Sequence, residues 1–236
     1  MLQNAIILAG GFGTRLQTIV KDLPKPMATV NGEPFLNYQL RYLKHYDIKH
    51  VIFSTGHLSE KISNYYKDEF LGIKISYAKE EAPLGTGGGI RLALNQCKTN
   101  DVLVLNGDSF FDVNLEQFFH EHQKEKAQIS LALRKVENAS RYGTIEVNEE
   151  RRIISFKEKN NLAQAGLING GVYILNQEVY LNNTEVDKNF SIEKDFFEKQ
   201  LDKLFIKGFE SKGYFIDIGI PEDYTKAQDD FKKFEY

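Results

Sequence analysis

The chain has 236 residues, 42% hydrophobic and 27% charged, and 30 Lys and Arg against 33 Asp and Glu leave a net charge of −3. That composition describes a globular fold rather than disorder, collagen or a coiled coil, and it lacks the basic stripe of a nucleic-acid surface. The single cysteine, Cys97, excludes a disulfide framework and a cysteine-based zinc site and suits a reducing cytoplasm.

In chain order, the apolar run 5–9 follows four residues without positive charge and stops at glycines. It is too short for a signal-peptide core or a membrane span, and it reads as a buried first strand. Apolar runs at 51–53, 73–77, 102–105 and 129–133 read as further strands. Helices are expected over 34–46, 59–70, 86–94 and 115–124; in the first, Phe35, Leu36, Leu40 and Leu43 recur at helical spacing behind Pro34. Beyond residue 140 the pattern changes: 143–147 and 153–156 read as a hairpin. Strands follow at 171–175, 204–206 and 214–216, with helices at 191–200 and 221–234. No linker, low-complexity tract, fixed-period repeat or hexapeptide tail is visible, so a single domain over 1–236 is expected. The fold class is α/β: a Rossmann-like, mostly parallel sheet flanked by helices, with a small antiparallel patch. In such sheets ligands sit beyond the carboxyl ends of the strands.

The first strand empties into Ala9-Gly10-Gly11-Phe12-Gly13-Thr14-Arg15-Leu16. Glycines let backbone N–H groups approach an anion closely. Leu16 stands where a dinucleotide fingerprint needs its last glycine, and no Gly-Lys-Ser/Thr closes a P-loop. Positive charge comes instead from Arg15 and from Lys25, which Pro24 and Pro26 hold on a stiff backbone. A guanidinium fork, a point-charge ammonium and a glycine cradle together describe a polyphosphate site.

The run 8–16 followed by Pro24-Lys25-Pro26 resembles the signature of the sugar-phosphate nucleotidyltransferases, and the resemblance extends over essentially the whole chain. It implies that Leu8, Ala9, Gly10, Gly11, Gly13 and Thr14 wrap a nucleoside triphosphate, that Arg15 counters the leaving pyrophosphate and that Lys25 steadies the α-phosphate. It also implies a division of labour, with 1–125 mainly binding nucleotide and 126–236 mainly binding sugar.

Glu80 opens the segment Glu-Glu-Ala-Pro-Leu-Gly85-Thr86-Gly-Gly-Gly. Glycine costs a helix roughly 1 kcal/mol relative to alanine, and close approach of a flat ligand would explain four of them in five positions. By the resemblance, Glu80 and the backbone at Gly85, with Thr86 beside it, contact the base. A carboxylate there suits the adjacent N1–H and 2-amino donors of guanine, whereas uracil and thymine offer one ring N–H, so GTP is expected.

Two strand-terminal aspartates complete the pattern: Asp108 after 102–105 and Asp217 after 214–216. Mg²⁺ takes one or two carboxylates plus phosphate oxygens, and the resemblance implies that this pair ligates it. Tyr214 and Ile220 depart from the family's Trp-x-Asp-Val-Gly-Thr-Pro pattern, while Asp217 and Gly219 are kept. On the sugar side the resemblance points to the backbone at Gly143, to Glu158 and Asn169 for sugar hydroxyls, and to Lys159 for the sugar phosphate. The segment 190–195 also resembles one packed near this pocket, with no contact assigned to it.

The implied reaction joins a nucleoside triphosphate to a sugar 1-phosphate and releases pyrophosphate. A phosphate monoester is already anionic, so no Ser, Cys or His nucleophile is required, in keeping with one Cys and five His outside any triad-like motif. Arg15, Lys25 and Asp108 are the expected catalytic residues. A catalytically silent nucleotide-sugar sensor would be marked by loss of Arg15, Lys25, Asp108 or Asp217, and all four are present. No nucleic-acid or membrane partner is expected. Oligomeric state is not legible, and the pairs Phe118-Phe119 and Phe196-Phe197 are read as core rather than interface.

Overall fold

The computed structural model describes residues 2–11, 22–157, 164–234 and 236. Its elements run β1 (Asn4–Leu8), β2 (Thr29–Val30), β3 (Glu33–Pro34), α1 (Phe35–His45), β4 (His50–Thr55), α2 (Ser59–Tyr66), β5 (Glu69–Phe70), β6 (Ile73–Lys79), α3 (Gly85–Leu94), β7 (Asp101–Asn106) and β8 (Ser109–Phe111). There follow α4 (Leu115–Lys124), β9 (Ile129–Val136), β10 (Thr144–Val147), β11 (Ile153–Lys157), β12 (Gly166–Asn176), α5 (Gln177–Asn182), a π-helical turn (Ile192–Phe197), α6 (Glu198–Gln200), β13 (Ile206–Ser211), β14 (Phe215–Asp217) and α7 (Pro221–Asp230).

Among the described residues, the main sheet has the order β11-β10-β12-β7-β1-β4-β6-β5, with β9 and β13 branching from β12. The central β7-β1-β4-β6 block is parallel, whereas β12 runs antiparallel to β7, β9 and β10. Side-chain alternation explains the two-sided core. Ala5 and Ile7 of β1 join α1 and α2 in one apolar layer, while Ile6 joins α3, α5 and the 192–197 turn in the other. Each fully buried Leu, Ile or Phe contributes about 1.5–3 kcal/mol, so continuous apolar strands with helices on both faces are the stable solution for these runs.

Several boundaries differ from expectation. The helix from Ser59 stops at Tyr66, where Lys67 takes φ 51°, and residues 69–70 form a short strand instead. The strand expected at 204–206 lies at Ile206–Ser211, pairing in parallel with β9 although Lys207 and Glu210 interrupt its apolar run. The helix expected over 191–200 is mostly a π-helical turn, which buries Phe196 and Phe197 fully. Phe118 is likewise buried and Phe119 packs partly against the core. The β8–β14 pair, which sets Ser109 opposite Asp217, was not expected because its strands are three residues each and far apart in sequence.

Candidate active site

Leu8, the last residue of β1, is held next to the turn after β7. Its carbonyl accepts the N–H of Gly107 at 2.9 Å, and a Cβ at Gly107 would overlap that oxygen. The turn therefore needs glycine so that β1 and Asp108 can approach. Ala9 is buried and donates to Ser54 O, Gly10 faces Gly56 and Glu80, and Gly11 is exposed with open space around its Cα. Gly13, Thr14 and Arg15, expected in the phosphate loop, lie outside the described residues, as do Glu158 and Lys159.

Lys25, in a single 3₁₀ turn behind Pro24, reaches over the turn at 107. Its ammonium lies 2.5 Å from Asp108 Oδ2 and 3.9 Å from Asp217 Oδ1. The Lys25 side chain is 14% exposed against 38% for Asp108 and 23% for Asp217, so the cation sits beneath the carboxylates rather than in solvent. Burial, and next the neighbouring Asp108 carboxylate, pushes Asp217 above the usual carboxylate range, with Lys25 opposing. Two carboxylates converging on one ammonium are a hard-oxygen donor set that fits Mg²⁺, which takes one or two carboxylates and fills its remaining positions with phosphate oxygens and water. Among the described residues no group of three His, Cys, Asp or Glu gathers, here or elsewhere, so a cation at this pair would complete its shell in that way.

Glu80 is half-buried, not exposed. Its Oε2 accepts Leu84 N–H at 3.0 Å while Oε1 faces Gly10 and Gly89, and burial raises its pKa. The glycines that follow have a different explanation from the expected flat ligand: they are pressed against protein. At Gly85, with φ +69°, a Cβ would lie 2.5 Å from Phe190 O; at Gly87 it would overlap the Cε2 edge of the Phe190 ring; at Gly88 it would lie 2.5 Å from Lys188 O. The 188–192 segment is tied down by Gly87 N–H to Phe190 O, Phe190 N–H to Leu84 O and Ile192 N–H to Thr86 Oγ1. Asn189 Nδ2 adds a bond to Pro83 O.

That strap extends the site in a way the sequence reading left unassigned. It delivers Glu193 to Asn169, whose Nδ2 donates to Glu193 Oε1 at 3.0 Å and to the Tyr173 hydroxyl at 2.8 Å. A register shift in β12 between Asn169 and Tyr173, with Gly171 at φ +73°, turns Asn169 toward the cleft. The aromatic departure at Tyr214 faces elsewhere: its hydroxyl donates to Asp230 and its ring packs on Phe231 and Phe234.

Two clefts result. One, about 630 Å³, is bordered by Leu8, Gly10, Gly11, Lys25, Glu80, Gly85 and Thr86; the other, about 240 Å³, by Tyr142, Gly143, Lys157, Asn169 and Phe215. Asn106, Asp108, Glu193 and Asp217 border both. The structure thus gathers Lys25, Glu80, Gly85, Thr86, Asp108 and Asp217 around one cleft, and Gly143 and Asn169 around its neighbour. Chemically, such a pair of clefts can hold two anionic substrates end to end, with lysine and aspartates where they meet.

Comparison with known proteins gives the family. The chain is 44% identical to D-glycero-alpha-D-manno-heptose 1-phosphate guanylyltransferase of Aneurinibacillus thermoaerophilus over 231 residues, covering 98% of this chain and 99% of the relative. It is 47% identical to the Campylobacter jejuni protein of the same description, covering 94% and 96%. HddC from Yersinia pseudotuberculosis superposes with a TM-score of 0.87 at 34% identity, covering 98% of this chain and all of that one; its complex with GMP-PN gives 0.86. The Nucleotidyl transferase family matches residues 4–233, and the chain belongs to that family.

Proposed function

We propose that the protein joins GTP to D-glycero-α-D-manno-heptose 1-phosphate, forming GDP-heptose and pyrophosphate, with Mg²⁺. The observation that carries this is the pair of clefts sharing Asp108 and Asp217 as a common border, with Lys25 beneath them. Near-full-length identity of 44–47% to two heptose 1-phosphate guanylyltransferases supports the sugar, and Glu80 in the larger cleft supports guanine. A mannose 1-phosphate reading has weaker support, since the Mycobacterium tuberculosis mannose-1-phosphate guanylyltransferase is 32% identical and this chain spans 64% of it.

In the reaction a phosphate oxygen of the sugar 1-phosphate attacks the α-phosphorus of GTP. The bond from that phosphorus to the bridging α–β oxygen breaks, and pyrophosphate leaves with the electron pair. No proton must be removed from the nucleophile, so the protein's task is alignment and charge neutralisation. The smaller cleft holds the sugar, with Gly143 and Asn169 toward its hydroxyls; Glu158 and Lys159, outside the described residues, take the roles on the hydroxyls and the sugar phosphate that the family resemblance implies. Asn169 is oriented by Tyr173 and Glu193, and its Oδ1 accepts Gly171 N–H, so it meets a sugar as a fixed rather than a searching group. The larger cleft holds the nucleotide along Leu8–Gly11. Lys25 neutralises charge on the α-phosphate, exchanging part of its pairing with Asp108 for phosphate oxygens, and Arg15 takes the leaving pyrophosphate. Asp108 and Asp217 would hold Mg²⁺, which when bound supplies Lewis-acid neutralisation of the transferring phosphoryl group.

Residues 1–125 serve mainly the nucleotide and 126–236 mainly the sugar. No described helix is long and apolar enough to cross a membrane, and we place the activity in the cytoplasm, feeding a surface polysaccharide such as capsule. The test is pyrophosphate release with GTP, ATP, UTP, CTP and dTTP, each crossed with heptose, mannose and glucose 1-phosphates, with and without Mg²⁺. GTP with the heptose 1-phosphate is expected to give the highest kcat/KM; a preference for UTP overturns the base assignment, and a preference for mannose 1-phosphate overturns the sugar.

A further inference from the structure

We propose that Gln39, buried in α1 and outside both clefts, is a positioning residue that sets Asp108, and through it Asp217, in register for the reaction. Its side chain is fully buried, yet it makes an arrangement that packing alone does not call for. Nε2 donates to Asn106 O at 2.8 Å and to Ser109 O at 2.7 Å, the carbonyls on either side of Gly107-Asp108. Carbonyls only accept, so both amide hydrogens are committed to this turn and the side-chain oxygen must point away. There Oε1 is buried and has no hydrogen-bond partner.

Leaving a buried acceptor unpaired costs stability, and the surrounding helix positions Phe35, Leu36, Leu40 and Leu43 are apolar. A methionine or leucine would fill the same space and remove that orphan oxygen, but it would take the donors from the Asn106 and Ser109 carbonyls. What an apolar side chain cannot supply is a double donor to the turn. The other tethers of the turn act in concert: Gly107 N–H is held by Leu8 O, and Asp108 O accepts Ile218 N–H at 3.0 Å. Ser109 pairs with Asp217 across the β8–β14 ladder. One amide inside α1 therefore anchors the turn that carries the first carboxylate and the strand against which the second is registered.

The inference rests on the functional reading above for what the two carboxylates do. Gln39 touches neither carboxylate; it holds the backbone on both sides of Asp108, and loss of a group that orients a metal ligand typically costs about 10–100-fold in metal affinity or activity. The test compares Gln39→Met, Gln39→Asn and, as a control in the same helix, Tyr42→Phe, which removes a buried 2.6 Å bond to Val113 O away from the turn. Steady-state turnover with GTP and the sugar 1-phosphate is measured beside thermal unfolding and binding of Mn²⁺ alone, followed by electron paramagnetic resonance.

Both Gln39 variants are expected to fold, to lose about 30-fold or more in kcat with KM for GTP within about threefold, and to bind Mn²⁺ about tenfold more weakly. Tyr42→Phe is expected to keep kcat and Mn²⁺ binding within about twofold of the parent. The proposal is overturned if the Gln39 variants keep kcat within about threefold, if they and Tyr42→Phe fall alike, or if neither Gln39 variant folds. A parent protein that makes no GDP-sugar sinks the functional reading instead, and the Mn²⁺ titration then decides the role of Gln39 on its own. If the parent turns over without binding Mn²⁺, the metal assignment fails and the kcat-against-KM split decides.

Discussion

Lys25 and Gly219 are in steric contact by design of the backbone: a Cβ at position 219 would overlap the Lys25 ammonium and lie 2.8 Å from Asp217 Oδ1. The ammonium is the tip of a flexible side chain, so it can swing away at little cost in stability, but then it no longer lies 2.5 Å from Asp108. Gly219→Ala is therefore expected to fold and melt near the parent while losing turnover. Lys25→Ala is expected to lose about 10²–10³ in kcat, the usual size for one preorganised charge-stabilising group. Pyrophosphate release and thermal unfolding, run on both variants, check the pair; near-normal turnover of Lys25→Ala would remove it from the catalytic set.

Asp217 gives a pH prediction with a definite sign. Its folded pKa lies above its unfolded one, because burial and Asp108 disfavour the charge. The unfolded chain then ionises first as pH rises, so Asp217 begins to cost stability above its unfolded pKa and the full cost is present above its folded pKa. Asp217→Asn should thus melt at or above the parent at neutral pH in the absence of substrates and show no such difference in strong acid, while losing turnover. Melting curves from pH 3 to 8 with added EDTA read the first effect, and pyrophosphate release reads the second.

Glu80 is expected to select the base. Glu80→Gln keeps the shape and an oxygen for Leu84 N–H but turns one acceptor into a donor facing guanine's own donors. The ratio of kcat/KM for GTP over UTP should fall by about 10–100-fold, the size of one charged hydrogen bond of roughly 1.5–3 kcal/mol. An unchanged ratio would place base selection elsewhere.

Gly87 tests the strap. Alanine gains about 1 kcal/mol in helix propensity, but overpacking a filled site costs about 1–3 kcal/mol. Because the added methyl would overlap the edge of the buried Phe190 ring, overpacking outweighs the gain in propensity. Gly87→Ala is expected to unfold at lower denaturant and to raise KM for both substrates, since Phe190 and Glu193 lie on one strap. Unchanged unfolding would show that the ring has room to move.

How much of this was written in the sequence depends on the range of the interactions. β1, β4 and β7 were legible because both of their faces are buried, so apolar runs such as Ala5–Leu8 and Val102–Leu105 have no polar interruptions. β13 was misplaced by a few residues because Lys207 is buried beside Glu121 and Glu125, a placement that hydropathy alone does not foresee. In the site, the Gly10-Gly11 and Pro24-Lys25-Pro26 signals are local and could be read directly. The strap was not legible: what makes Gly87 necessary is Phe190, about a hundred positions on, and no periodicity records such a pairing. Asn169 reaching Glu193 through a bulge in β12 was hidden for the same reason.

Since, among the described residues, Asn106, Asp108, Glu193 and Asp217 border both clefts, the chambers are adjoining rooms rather than separate sites. A single molecule with a guanosine at one end and a heptose at the other, bridged by a short anionic linker, would lodge in both at once. Engaging the second room would then be an intramolecular event at high effective concentration, so such a bisubstrate inhibitor should outbind either half by far more than their contacts suggest.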